Sequence, residues 1–203
     1  MSVTVQPAPA RTDNETTTTA AVRRTGWMVA GGALIWAAAM AAYSPQSTDS
    51  TAILVNDLGA LPFQIGLFAL VTTQLRTGAT GVTRVARGML RVEYVLLTLA
   101  TLWTVLHAAL PSQRDAVWLG VLDAFWPLSM LGMFIIGVKI AFAGRWKGVA
   151  RFWPLAAESW AVVTVPALGI LGATAGQYVG VAHLLAGYLV LGLILARRPH
   201  LTF

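Results

Sequence analysis

Two apolar runs decide the fold: residues 90–110, LRVEYVLLTLATLWTVLHAAL, and residues 117–143, VWLGVLDAFWPLSMLGMFIIGVKIAFA. Only PSQRDA, residues 111–116, separates them. A helix rises 1.5 Å per residue, so about 20 residues cross the hydrocarbon core of a bilayer. Each run is long enough and apolar enough to do so. The pair therefore reads as a membrane-spanning helical hairpin. Each arm also places ionisable side chains where hydrocarbon penalises them: Glu93 and His107 on the first, Asp123 and Lys139 on the second.

Four further runs flank the hairpin, at about residues 27–43, 57–75, 154–171 and 178–196. The expectation is an all-α fold, a polytopic integral membrane protein with a single bundle of six transmembrane helices over residues 25–198. A polar, Thr-rich segment, residues 1–24, precedes it and is expected to be a disordered cytoplasmic tail. Residues 199–203 form a short cytoplasmic end. Composition agrees: 57% of the 203 residues are hydrophobic and 11% are charged. Soluble domains carry about 25% charged residues, so a soluble fold is excluded.

Charge placement gives orientation. Twelve of the 14 Lys and Arg residues border one side of the spans, from Arg11, Arg23 and Arg24 through Arg76, Arg84, Arg87, Arg91, Arg145, Lys147 and Arg151 to Arg197 and Arg198. Lys139 lies within a span near that side, and only Arg114 falls opposite. Basic loops stay in the cytoplasm, which places both termini there and the protein in the cell's inner (plasma) membrane. In this setting the net charge of +6 reports topology, not nucleic-acid binding. Arginine outnumbers lysine, as codon bias in a GC-rich genome would produce, and the expected source is bacterial. Arg23-Arg24 before an Ala-rich run also resembles a secretory signal, but its length and the spans that follow favour a first transmembrane helix. Trp27, Trp118, Trp146 and Trp153 fall at the predicted interfaces, where aromatic belts sit. Ala33, Ala37 and Ala41 make a small-residue ridge on the first helix.

Counting from the turns gives depth. His107 is seven residues before Arg114 and Asp123 nine after it, while His183 is nine beyond the turn at Thr174. These three lie at one level in the outer leaflet, with Asp57 and Gln64 sharing a face of the second helix. Gly176, Gly180, His183 and Gly187 form a close-packing stripe that turns His183 inward. Ionisable groups inside spans are rare and functional by default. His107, Asp123, His183, Asp57 and Gln64 are thus the candidate substrate or proton site, and any metal is left undefined. Lys139, Glu158 and Glu93 share a depth near the other side and are expected to form a structural ion pair.

The chain has no cysteine, which removes thiol catalysis and Cys-ligated metals. It also lacks the nucleotide-binding and common hydrolase motifs, so an enzyme is not indicated. The leading expectation is a small transporter or permease-like protein without a cofactor. A competing class is a redox carrier holding one b-type haem between His107 and His183. A third is a non-catalytic subunit. Expected partners are the lipid bilayer and a second copy or a membrane partner protein, with no nucleic acid.

Overall fold

A computed structural model describes residues 13–203, with side-chain environments from residue 18 onward. Among these residues the chain is all helical, without strands. The elements are α1 (Asp13–Ala42), α2 (Ser50–Thr77), α3 (Arg84–Ala109), α4 (Val117–Asp123), α5 (Phe125–Ala143), α6 (Val149–Glu158), α7 (Trp160–Leu171), α8 (Ala173–Leu184), a π-helical segment (Leu185–Leu189) and α9 (Val190–Arg197). They assemble into six helices long and apolar enough to cross a membrane. The fourth joins α4 to α5, the fifth α6 to α7, and the sixth runs from α8 through the π segment to α9.

Local chemistry sets the boundaries. Asp49 caps α2 by accepting the Ala52 N–H at 2.8 Å, and Gly78 ends it in a left-handed conformation (φ 62°). Thr83 caps α3 by accepting the Ala86 N–H. The step between α4 and α5 at Ala124 has a clear cause. Pro127 has no N–H to give the carbonyl four residues earlier, at Asp123, so the ladder opens there. At the joint of α6 and α7, the Ser159 hydroxyl donates to the Ala156 carbonyl, a side-chain bond that competes with the helical ladder.

Each span packs beside its neighbour in sequence, and the sixth returns to α1 to close the ring. α1 and the sixth span run antiparallel, so both described chain ends lie at one end of the bundle, the termini end. Their backbones touch: a Cβ on Gly192 would lie 2.5 Å from the Ala30 nitrogen and 2.6 Å from the Gly26 oxygen. The expected glycine stripe of the sixth span is a contact surface against the fifth, Gly176 meeting Leu168, Gly180 Thr164 and Gly187 Ala157. Aromatic rings from five spans fill the centre. Trp36 packs on Phe63, Trp126 and Trp160 at 4.9, 5.4 and 5.3 Å between ring centroids, and Phe63 meets Tyr188 edge-on at 4.8 Å. Outside the ring the surface is apolar; Phe142 and Ile170 are 82% and 80% exposed. So much outward apolar surface needs a covering, and lipid is the natural one.

Three expectations change. Residues 13–24, expected to be disordered, are helical and extend α1, whereas residues 1–12 lie outside the described residues. Trp146, between α5 and α6 at the termini end of the bundle, faces inward rather than out: it is wholly buried, donating its Nε1–H to Thr77 Oγ1 at 2.9 Å. In the alanine ridge, Ala33 and Ala37 are buried but Ala41 is exposed.

Candidate functional site

The end of the bundle opposite the termini carries a short chain of polar contacts between α2 and α3. Asp57, two turns into α2, places Oδ2 2.7 Å from Nδ1 of His107 in the last turn of α3. Both side chains are largely inside the bundle, 10% and 19% exposed. Their surroundings fix the imidazole. Trp103, one turn back on α3, stacks on it with centroids 4.7 Å apart, and the Arg114 Nε–H donates to the His107 carbonyl at 3.1 Å. Two turns deeper on α2, the Gln64 Nε2–H donates to Thr104 Oγ1 at 2.8 Å, and Trp126 Nε1–H reaches the same hydroxyl at 3.3 Å. Gln64 Oε1 is buried with no partner. The Asp57–His107 contact thus lies outward, along the same seam, of the Gln64–Thr104 contact and the aromatic centre.

The sequence-expected set is only partly assembled. Asp57, His107 and Gln64 do line one α2–α3 seam. Asp123 does not join them by a bond: it is exposed at the broken end of α4, within electrostatic reach of His107 but unpaired with it. His183 sits elsewhere, with Nε2 3.1 Å from Ser159 Oγ. Among the described residues no three His, Cys, Asp or Glu side chains gather as a metal site. The bis-histidine haem does not fit either. Ser159 occupies one nitrogen of His183, and the other is buried, unpartnered and packed against Gly187. That imidazole has no open nitrogen to offer an iron.

The expected ion pair is replaced by a different arrangement. Among the described residues no Lys or Arg nitrogen lies within 4.0 Å of a carboxylate, so Lys139 does not meet Glu158. Lys139 is exposed on the outer face of α5, where its long side chain can lie along apolar surface. Glu158 instead accepts from Gln74 Nε2–H at 3.1 Å, and Glu93 from Ser129 Oγ–H at 2.6 Å. Sequence reasoning missed Gln74 and Ser129, which bond these glutamates, and Tyr188, which lies within electrostatic range of both, with the π segment that carries it. Such one-turn π insertions occur often at functional positions.

No family model matches the chain, and no curated protein or solved structure is significantly similar to it.

Proposed function

We propose that the chain is a small multi-pass transporter or permease-like protein of the inner membrane, with both termini cytoplasmic and the Asp57–His107 pair as its outward-facing protonatable or cation-binding element. One observation carries this reading: a carboxylate and an imidazole, from two different spans, are held 2.7 Å apart inside a bundle whose outer surface is apolar. Ionisable groups are expensive at that depth and mark ion or proton pathways. Histidine changes charge near physiological pH, and its carboxylate partner orients one ring nitrogen while leaving the other for a ligand or proton. The placement of the basic residues supports the orientation, since it puts the pair on the outer side. Inward of the pair, the Trp36, Phe63, Trp126 and Trp160 rings pack together at the centre of the bundle, which supports a closed state of such a carrier.

Electrical recording on a solid-supported membrane bearing the reconstituted protein tests this. A rapid pH step should produce a transient charge displacement that His107→Gln and Asp57→Asn each diminish several-fold. Equal transients from wild type, both variants and protein-free membranes would remove the proposal.

A further inference from the structure

We propose that Glu93 and Glu158 form a second proton-binding site, separate from Asp57–His107, in the half of the bundle nearer the termini. Each residue is 1% exposed; Oε1 of each accepts a side-chain bond, and Oε2 of each has no side-chain partner. The two free oxygens lie in matching cradles on one helix. A Cβ on Gly137 of α5 would sit 2.5 Å from Glu158 Oε2, and a Cβ on Gly132 would overlap Glu93 Oε2. Two more unpartnered atoms belong to the same neighbourhood: Gln74 Oε1, from the amide bonded to Glu158, and the Tyr188 hydroxyl, within electrostatic range of both glutamates. Tyr188 is 1% exposed and Gln74 fully buried.

The groups facing the pair rule out ionic compensation. α2 contributes Gln74, α5 contributes Ser129, the π segment contributes Tyr188, and each glutamate lies within electrostatic range of the other. No Lys, Arg or His nitrogen lies within 4.0 Å of either carboxyl among the described residues. Lys139 faces outward, and His183 is engaged with Ser159. A carboxylate buried without a counter-charge is strongly disfavoured, so the site calls for a positive occupant. The two cradles, at Gly132 and Gly137, are five residues apart, about 7.5 Å along the axis of α5 at 1.5 Å per residue. A proton suits the site. On uptake an O–H bond forms at a free oxygen and the carboxylate charge disappears; on release the proton returns to water. The site requires no function for the Asp57–His107 pair and stands without it.

Infrared spectroscopy of the full chain in lipid nanodiscs, in H2O and D2O at neutral pH, reads the proton directly. The wild type should show a protonated-carboxyl C=O band that shifts in D2O. Glu93→Gln or Glu158→Gln should remove part of it, Ser129→Ala should move it, and Asp57→Asn should leave it in place. Absence of the band from the wild type overturns the proposal even if the Gln variants fail to fold. So does a band that survives both Gln variants, or one abolished by adding sodium or potassium at constant pH, which would mark a cation site.

Discussion

Asp57 and His107 face each other across the α2–α3 seam, Oδ2 to Nδ1, at 2.7 Å. The contact joins two spans near the bundle end opposite the termini, while Asp123, nearby in space, makes no bond to the same imidazole. Removing either member leaves a polar group inside the bundle without its partner. Asp57→Asn and His107→Gln should each lower the melting temperature, and the double variant should be less damaged than the sum. Hydrogen bonds inside membrane bundles average about 0.6 kcal/mol and reach about 1.7. A coupling energy of about 1 kcal/mol is therefore expected from the double-mutant cycle. Asp123→Asn with His107→Gln should instead be additive.

Glycine substitutions separate contact surfaces from open ones. At Gly137 a methyl would meet Glu158 Oε2 at 2.5 Å and the Leu155 backbone at 2.9 Å. Gly137→Ala should cost about 1–3 kcal/mol, as overpacking does. A methyl added at Gly169 in α7 would meet nothing within 4 Å. Gly169→Ala should then be neutral or gain up to about 1 kcal/mol from helix propensity. Thermal unfolding in one detergent compares the two, and equal effects would mean that the α5–α6 contact is looser than described.

Lys139→Met provides a third check. Its side chain is exposed and unpaired among the described residues, so stability should stay within about 0.5 kcal/mol of wild type. Glu158→Gln, changing a group 1% exposed, should shift stability more. A large loss from Lys139→Met would restore the ion pair expected from the sequence.

Because the chain is cysteine-free, single cysteines report topology. Cysteine at Gln46 or Ser112, both exposed in loops opposite the termini, should react with an impermeant maleimide added to intact cells. Cysteine at Lys147 or Thr83, exposed at the termini end, should react only after lysis. The reverse pattern would invert the proposed orientation.

The six long apolar helices were legible in the sequence because length and apolar content alone mark a helix able to cross a membrane. The pairings were not. Residue counts from a turn give depth along an axis, and Asp123 does lie within electrostatic reach of His107. They do not give rotation, and a helix apolar all round carries no amphipathic stripe to supply it. The opening at Ala124 before Pro127 then left Asp123 outside the bundle, while Asp57 turned in. Lys139 and Glu158 failed for the same reason: equal depth, different faces. The glycines of the sixth span succeeded because small residues mark a contact face by their size. The π segment had no such marker, and neither did Gln74 or Ser129.

The most direct measurement follows the proton on His107. With 15N-labelled histidine, the full chain in nanodiscs gives ring-nitrogen signals for His107, His183 and His200, assigned by His→Gln variants. The expected result is that the His107 Nδ1 signal reports the 2.7 Å contact with Asp57, so that Asp57→Asn moves it while Asp123→Asn leaves it nearly unchanged. A His107 signal that Asp57→Asn leaves as it was would contradict the paired outer site, and so would one that Asp123→Asn moves as far as Asp57→Asn does.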